Sequence, residues 1–254
     1  MNIAELDTFF VNLDPGLCKG GTSDGLRFGS PNQPIAGIVT THMATMQVIR
    51  QAIQIGCNTI ISHEAPFFSP DDPHAGDRVS GIKKDLLEEN GIAIYRLHDL
   101  WDNYPQYGVA DSWAAHLALG APADARGRLK VYDIPTQFLS DFSERVKEMM
   151  RLPVLRVAGD LASPVSRVGL GPGEHGRLED LNVCMEMGCD CFVAGESSES
   201  LSARYATDSG ISMIVTGHTE SENPGLESLA AFLKEHFPDI KIEFLDAGAV
   251  YSYV

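Results

Sequence analysis

The sequence predicts an α/β protein made of two pseudo-symmetric subdomains, each with a mixed sheet flanked by helices. In the first and last thirds of the chain, short apolar stretches typical of buried strands alternate with amphipathic stretches typical of helices. Two of these stretches also resemble one another: GCNTIISHE at 56–64 and GCDCFVAGE at 188–196 lie 132 residues apart. A length of 254 residues accommodates either one large domain or two medium ones.

The first third predicts an N-terminal helix followed by alternating strands and helices. Glycines at 56 and 91 end the two predicted internal helices. A glycine-rich turn is expected at 20–29 and a polar loop at 69–77. The predicted helices are 3–13, 43–56 and 79–89, and the predicted strands are 35–41, 58–68 and 92–99.

The rest of the chain divides into a less regular middle and a regular last third. We expect subdomain one at about 1–110 plus a closing C-terminal segment, a linking segment at 111–160, and subdomain two at about 161–250. Pro224 is expected at the first position of the last helix, where proline is favoured. Predicted helices are 111–120, 138–150, 178–188, 199–206 and 224–238; predicted strands are 126–132, 154–160, 165–171, 189–196, 210–218 and 241–248.

The composition is that of an ordinary globular protein with an excess of acid. Thirty-five acidic against 19 basic residues give a formal charge of −16, which disfavours binding to nucleic acid. The five cysteines are an odd number without a Cys-x-x-Cys motif, so neither a disulfide framework nor a zinc knuckle is indicated. The N-terminal residues do not resemble a signal peptide, and no apolar run approaches the ~20 residues of a membrane span. We therefore expect a cytoplasmic protein with no membrane association.

A second repeated pair places similar polar residues after strands in both halves. The stretches at 91–102 and 210–222 align His98 with His218 and Asp102 with Glu222. Polar side chains at the carboxyl ends of strands in α/β sheets lie where ligands bind. Chance recurrence of short glycine and apolar patterns is the alternative explanation of the repeat.

The polar residues that follow the predicted strands suit a metal site. Imidazole with carboxylate binds Zn, Fe, Mn, Co or Ni, and several carboxylates with few histidines favour two ions. Two ions a few ångströms apart are the machinery of many hydrolases. A network that only caps helices and turns is the structural alternative. The candidates are His63, Glu64, His98, Asp99, Asp102, Glu196, His218, Glu220 and Glu222.

Other motifs favour structural interpretations. GLGPGEHG at 169–176 is expected to be a tight turn between strand and helix, since it lacks the full dinucleotide-binding spacing. Cys189 and Cys191 are expected to share a strand face and to pack in the core. The remaining histidines are expected to be structural or solvated: His42, His74, His116, His175 and His236.

Three segments together resemble the Nif-three-like family of dinuclear-metal proteins, often labelled GTP cyclohydrolase type 2 homologues. The similarity extends from about residue 24 to the C-terminus and is weakest between 111 and 160. It is most specific in the last segment, which resembles the Gly-His-x-x-Ser-Glu stretch of the family. The segments are ATMQVIRQAIQIGCNTIISHEAPFF (44–68), YRLHDLWDN (95–103) and TGHTESENPGLESLAAFLKEHFP (216–238).

The resemblance implies two α/β subdomains that together hold two divalent metal ions, in a ring-shaped homohexamer. It also implies a di-metal hydrolase acting on a small nucleotide-like or phosphorylated substrate through a metal-bound hydroxide. His98 and Glu220 are the candidate proton carriers, and Glu222 is the expected bridging carboxylate. A non-catalytic metal-binding scaffold or regulatory protein is the alternative. The implied metal ligands are His63, Glu64, Asp102, His218 and Glu222.

Two positions depart from the family pattern. Glu64 stands where a second adjacent histidine is usual, and AGESSES, which contains Glu196, replaces a Thr-Gly-Asp segment followed by histidine. More oxygen and less nitrogen shift the expected preference toward harder ions such as Mn or Mg.

Overall fold

A computed structural model of the chain describes residues 1–16, 22–68 and 76–254. The sequence predictions for Cys18 and His74, and most of the predicted loop at 69–77, lie outside these residues. The described chain divides into two compact units. Unit 1 comprises Met1–Gly108 and Leu226–Gly248, and unit 2 comprises Val109–Gly225 and Ala249–Val254. None of the helices in the described ranges combines the length and apolarity needed to cross a bilayer.

Unit 1 is an α/β unit with a five-stranded sheet in its described residues. The strand order is β1-β4-β3-β2-β11, in which β11, β2, β3 and β4 are parallel and β1 is antiparallel at the edge. Its elements are α1 (Ile3–Leu13), β1 (Gly25–Phe28), β2 (Gly37–Thr41), α2 (Met46–Gln54), β3 (Thr59–Ser62), α3 (Arg78–Glu89), β4 (Ala93–Arg96), α4 (Asp99–Asn103), the later turns of α9 (His218–His236) and β11 (Lys241–Phe244).

Unit 2 has a six-stranded sheet in its described residues, in the order β5-β6-β8-β9-β10-β7. Strands β8, β9 and β10 are parallel, and β7 is antiparallel at the edge beside β10. Its elements are α5 (Val109–His116), β5 (Asp124–Arg126), β6 (Leu129–Phe138), α6 (Leu139–Met149), β7 (Arg156–Ala158), β8 (Pro164–Gly171), α7 (Leu178–Glu186), β9 (Cys191–Ala194), a π-helical turn (Glu199–Ala203), α8 (Arg204–Ser209), β10 (Ser212–Val215) and the first turns of α9.

The predicted fold class is confirmed: two mixed sheets are each flanked by helices. The internal repeat is visible in the topology, since β2-β3-β4 with edge strand β1 matches β8-β9-β10 with edge strand β7. The repeat also includes one pair of equivalent side chains that accept similar hydrogen bonds. Asn58 accepts a hydrogen bond from the Ala36 backbone N–H before β2, and Asp190, 132 residues later, accepts from Ser166 in β8.

Residues 111–160 do not form a separate linking segment. They form the helix α6, and they supply the strands β5, β6 and β7 to the unit 2 sheet. The ten-residue β6 pairs with β8 along most of its length. The irregular sequence pattern has a physical reason: β5 is exposed throughout and β6 buries only part of its residues, so neither shows a continuous apolar run.

The last helix begins earlier than proline predicts. α9 starts at His218, so Pro224 lies inside the helix rather than at its first position. Proline lacks an N–H and cannot donate to the carbonyl of Glu220, but its fixed φ is compatible with a helix. The early start has a functional consequence, because His218 and Glu222 become neighbours one turn apart on the same helix.

The two faces of the unit 2 sheet form separate cores. Along β9, Cys191 and Val193 pack in one cluster while Phe192 and Ala194 pack in the other, as strand alternation requires. Cys189 packs with Phe192, so the prediction that Cys189 and Cys191 share a face is wrong. Cys189 precedes β9 and is outside its pleat. Both thiols are buried, which confirms the prediction of apolar packing.

Candidate functional site

Three potential metal ligands of unit 1 lie close together at the carboxyl ends of β3 and β4. His63 follows β3, and His98 and Asp102 lie in the turn and helix that follow β4. One ligand atom from each lies within 4.8 Å of the others. We call these three residues the first group. Parallel pairing of β3 with β4 brings the two strand ends side by side, which explains why residues 35 positions apart meet.

The ring of His63 is fixed by the backbone. Its Nδ1 lies 3.0 Å from the carbonyl oxygen of Leu97, and since a carbonyl only accepts, Nδ1 carries the proton. The other nitrogen, Nε2, is the one left to face other groups, and it lies 3.3 Å from Oδ1 of Asp102. The side chain is fully buried. This is the arrangement that proteins use to orient a metal-binding imidazole.

His98 stacks on His63 and is surrounded by carboxylates. Its Nδ1 lies 3.0 Å from Asp99 Oδ1 and 3.4 Å from Asp102 Oδ2, and its Nε2 lies 3.5 Å from Glu64 Oε1. Burial by itself lowers the pKa of His98, but the hydrogen bond to Glu64 and the charge of Asp102 outweigh burial, so the pKa is raised above 6.5. The ring therefore holds a proton to higher pH than a solvent-exposed histidine does.

A carboxylate from a distant loop holds the start of α4. Asp24 accepts hydrogen bonds from the backbone N–H groups of His98 (2.5 Å), Asp99 (3.0 Å) and Leu100 (2.9 Å). These are the donors that a helix leaves unsatisfied at its N-terminus, so Asp24 acts as a capping group from outside the helix. It thereby fixes the backbone from which His98 and Asp102 project.

Asp99 is tied to the same loop. Burial by itself raises the pKa of Asp99, but hydrogen bonds from the Ser23 backbone N–H and from His98 lower it to about 2. Asp99 stays ionised beside His98, which helps to keep the imidazole protonated.

Glu64 continues the chain after His63 and points toward two cationic groups of unit 1. Its carboxylate lies 3.5 Å from Arg96 Nη2 and 3.5 Å from His98 Nε2. His42, whose role the sequence leaves unassigned, is buried after β2, and its carbonyl accepts from the Glu64 backbone N–H at 2.8 Å.

Unit 2 has a related arrangement around His218. Its Nδ1 lies 3.1 Å from Glu196 Oε1, and its Nε2 lies 3.3 Å from Glu222 Oε1. We call these three residues the second group. Glu222 is 4% exposed, whereas Glu196 is largely exposed. Each unit thus presents one imidazole whose Nδ1 has a fixed acceptor and whose Nε2 faces a carboxylate.

The Glu222 carboxylate packs directly against the backbone at Gly173. A Cβ atom added at Gly173 would overlap Glu222 Oε1 and lie 3.1 Å from His218 Nε2. The φ of Gly173 is +60°, a region that favours glycine. Ser221 Oγ accepts from the Gly173 N–H at 2.9 Å and donates to the His218 carbonyl at 2.7 Å, which joins the turn to α9. The predicted tight turn at 169–176 therefore forms one wall of the second group.

Glu220 does not join the second group. It lies two residues from His218 and two from Glu222, so it projects from another side of α9. Its carboxylate packs against Gly217, whose φ is +120°. Its role as proton carrier stays a prediction, as do the ligand assignments of the resemblance.

The sequence alone does not reveal the structural roles of three residues at or near the two groups. Glu196 is a candidate from its place after a strand and a departure from the family pattern, but the sequence does not indicate that it is the Nδ1 partner of His218. Asp24 lies in a predicted glycine-rich turn, and no local signal connects it to α4, 74 positions away. The Gly-x-Gly-x-Gly pattern did signal Gly173, although its contact with Glu222 depends on the tertiary fold.

The donor sets suit divalent metal ions. Histidine nitrogen with carboxylate oxygen in a buried or half-buried position is a ligand set for Zn, Fe, Mn, Co and Ni. In the first group the bond of Nδ1 to Leu97 leaves Nε2 of His63 facing Asp102, and in the second group the absence of a Cβ at Gly173 leaves space for Glu222. Both observations fit a bound ion, although each set of contacts also stabilises the fold.

The family model Duf34/NIF3 (NGG1p interacting factor 3) matches residues 1–248. The chain belongs to this family. The resemblance found in the sequence is therefore confirmed, and it extends further toward the N-terminus than the three motifs indicate.

Curated relatives and solved structures agree with this assignment. The chain is 26% identical over 260 residues to the Chlamydia pneumoniae protein named GTP cyclohydrolase 1 type 2 homolog, covering 98% of this chain and 99% of the relative. It is 25% identical over 223 residues to the Escherichia coli (strain K12) protein of the same name, covering 84% and 85%.

The solved structures show the fold. The structure described as protein ybgI, of unknown function, has a TM-score of 0.86 at 20% identity, covering 99% of this chain and 100% of that one. A Bacillus cereus protein related to NIF3 has a TM-score of 0.84 at 18% identity, covering 100% and 99%.

Proposed function

We propose that this NIF3-family protein is a metal-dependent hydrolase that binds two divalent ions per chain. The ions are held by His63, Glu64 and Asp102 of unit 1 and by His218 and Glu222 of unit 2. The observation that carries the proposal is the orientation of the His63 ring: hydrogen bonding to Leu97 commits Nδ1 and presents Nε2, in a buried position, beside Asp102. A bound divalent ion supplies Lewis acidity and lowers the pKa of coordinated water.

The protein side chains have separate tasks in this proposal. His63 and His218 orient lone pairs through the acceptors at their Nδ1 atoms, Leu97 O and Glu196. Asp102 and Glu222 supply oxygen donors one helical turn after His98 and His218. His98, whose pKa is raised, holds a proton at Nδ1 or Nε2 between Asp99 and Glu64 and delivers it to a leaving group.

The substrate we propose is small and nucleotide-like or phosphorylated. The relatives named GTP cyclohydrolase 1 type 2 homolog support this class, because their name refers to hydrolysis of a nucleotide. The formal charge of −16 opposes the approach of an anion. Local positive charge, from bound metal ions or from basic side chains, is therefore required where an anionic substrate binds.

The hydrolase proposal is tested by turnover. Anaerobically purified protein is loaded with Mn, Zn, Fe or Co and assayed with a panel of phosphoesters and nucleotides that includes GTP. We expect turnover of at least one member, and its loss in Glu222→Ala. Glu227→Ala, which removes an exposed carboxylate from the same helix, is the matched control and should retain activity. If the metal-loaded protein turns over no member of the panel, the hydrolase proposal fails and a metal-binding scaffold or regulatory protein is favoured.

Self-association into a homohexameric ring is part of the same proposal. Large apolar side chains are exposed near the C-terminus, namely Val250, Tyr251 and Tyr253, and such groups are common at interfaces. Light scattering coupled to size exclusion should give a mass near six chains. A mass of one chain at micromolar concentration would refute the ring.

A further inference from the structure

Unit 2 contains a pocket at the edge of its sheet that belongs to neither ligand group. The pocket has a volume of about 250 Å³ and is bordered by the end of β10, the edge strand β7, the π-helical turn and α8. This volume suits a small ligand rather than an extended one. Its polar and charged lining comprises Arg156, Arg204, Ser197, Glu199 and Thr207.

The position of the pocket is one where α/β sheets bind ligands. Val215 is the last residue of β10 and lines the pocket, and Arg156 pairs with it across the sheet edge. Ser197 lies three residues past the end of the parallel strand β9. The pocket therefore opens outside the carboxyl ends of β9 and β10, the region where open α/β sheets place their ligands.

The two arginines give the pocket its chemistry. No ion pair joins Arg156 or Arg204 to any residue in the described ranges, and both side chains are exposed. Two guanidinium groups with one carboxylate, Glu199, leave the lining with a net positive charge. Guanidinium forks match the geometry of phosphate and carboxylate oxygens.

The segment that departs from the family pattern builds this pocket. Two serines of AGESSES contact Ser202, which lies just beyond that segment. Ser197 Oγ lies 3.1 Å from Ser202 Oγ, and the Ser198 N–H donates to Ser202 Oγ at 3.2 Å. These bonds shape the turn that leads into the π-helical residues Glu199–Ala203. Single π-helical turns are rare and occur often at functional sites. The aliphatic residues Val157 and Val215 supply an apolar wall beside the charged groups.

We propose that this pocket binds the phosphate group of a small phosphorylated molecule through Arg156 and Arg204. Val157 and Val215 contact the apolar part of that molecule. The pocket adjoins the second group in sequence, since Ser197 follows Glu196 and Val215 precedes His218 by three residues. That the bound molecule is the substrate rests on the hydrolase function proposed above, whereas the binding itself does not.

The test measures binding of inorganic phosphate and phenyl phosphate to the full-length protein by isothermal titration calorimetry. We expect phenyl phosphate to bind more tightly than inorganic phosphate. Arg156→Gln and Arg204→Gln should each raise the dissociation constant about ten-fold or more, because each removes a charge-assisted pair. Thr207→Trp, which fills the pocket without changing its charge, should also weaken binding of phenyl phosphate. Arg177→Gln removes an exposed arginine of unit 2 that pairs with Glu174, and it should bind as the wild type does.

A further variant separates this pocket from the metal groups. Glu222→Ala removes a proposed metal ligand and leaves the arginines in place, so it should retain phosphate binding. If binding is lost in Glu222→Ala and kept in both arginine variants, phosphate binds at metal and the pocket proposal is overturned. Absence of binding to wild-type protein at millimolar concentration overturns it as well. Benzoate is the third ligand in the test. If benzoate binds as tightly as phenyl phosphate, the pocket binds carboxylates as a class and the phosphate proposal is overturned.

Discussion

The imidazole rings of His63 and His98 stack with their centroids 4.4 Å apart and their planes inclined by 18°. One ring has its Nδ1 committed to the Leu97 carbonyl, and the other has a raised pKa because Glu64 and Asp102 lie beside it. The pair thus separates two tasks between similar side chains: His63 is suited to hold a metal and His98 to hold a proton.

This division of labour predicts the effect of His98→Phe. Phenylalanine keeps the stack on His63 but carries no proton and no metal donor. We expect the metal content to stay at the wild-type value while turnover falls by a factor of about 10²–10⁴, the usual contribution of a general acid. His116→Phe, at an exposed histidine bonded to the Met149 carbonyl, is the control. Loss of metal in His98→Phe would make His98 a ligand instead.

The contact of Gly173 with Glu222 predicts a difference between two glycine substitutions. Gly173→Ala introduces a methyl group that overlaps Glu222 Oε1, whereas Gly127→Ala meets nothing within 4 Å at nearly the same φ of +61°. Each should lower the free energy of unfolding by about 1–2 kcal/mol through backbone strain. Gly173→Ala alone should reduce metal binding. Equal metal content in the two variants, measured by elemental analysis, would contradict the role of Gly173 as a wall of the second group.

The later part of α9 is anchored in unit 1 by aromatic packing. Phe232 is 4% exposed, and its ring centroid lies 5.4 Å from Trp101, 5.5 Å from Tyr104 and 5.1 Å from Tyr107. Phe232→Ala should lower the free energy of unfolding by about 3–5 kcal/mol, as deletion of a buried ring does. Phe138→Ala, at a ring that is 57% exposed, should change it by less than about 1 kcal/mol. Urea unfolding measures the free energy of unfolding of both variants. Similar decreases in the two variants would refute the anchoring role of Phe232.

A buried lysine predicts a pH dependence of stability. Lys83 is 2% exposed, donates to the Pro66 carbonyl and lies 5.0 Å from the centroid of Phe68. Burial lowers the pKa of Lys83 from 10.5 to about 8, against the opposing effect of Asp77. Between pH 8 and 10.5 the unfolded chain binds more protons at this position than the folded chain, so this group adds stability as the pH rises.

The comparison with Lys83→Met isolates this contribution. The free energy of unfolding of the wild type should rise relative to that of Lys83→Met across this pH range. Lys84→Met removes the same charge from the next position of α3 and should leave the rise in place. Parallel curves for wild type and Lys83→Met would show that Lys83 titrates normally.

The sequence was sufficient to predict the parallel strands that carry the site. β3, β4, β9 and β10 bury all or nearly all of their residues, so they are apolar runs in the sequence, and the His or Glu residues that follow them are conspicuous. The start of α9 was mispredicted because the proline signal at Pro224 dominates the local pattern, while the helix is extended backwards by tertiary contacts such as those of Ser221 with Gly173. β1 was missed because it is short, half-buried and lies within a glycine-rich stretch.

Long-range side-chain partners could not be predicted for a similar reason. Asp24 reaches α4 only because β1 pairs with β4, and that antiparallel edge pairing has no sequence signature. The role of Glu196 depends on the parallel pairing of β9 with β10, which places it beside His218. A sequence pattern identifies residue types at strand ends, but the order of strands decides which of them meet.

The most direct test of the account is the metal content of anaerobically purified protein and its ligand variants. Inductively coupled plasma mass spectrometry should find two divalent ions per chain in the wild type. It should find about one in His63→Ala, about one in His218→Ala, and none in the double variant, with His116→Ala retaining two. Fewer than one ion per two chains in the wild type, or an unchanged content in both single variants, would contradict the central claim that each unit contributes metal ligands.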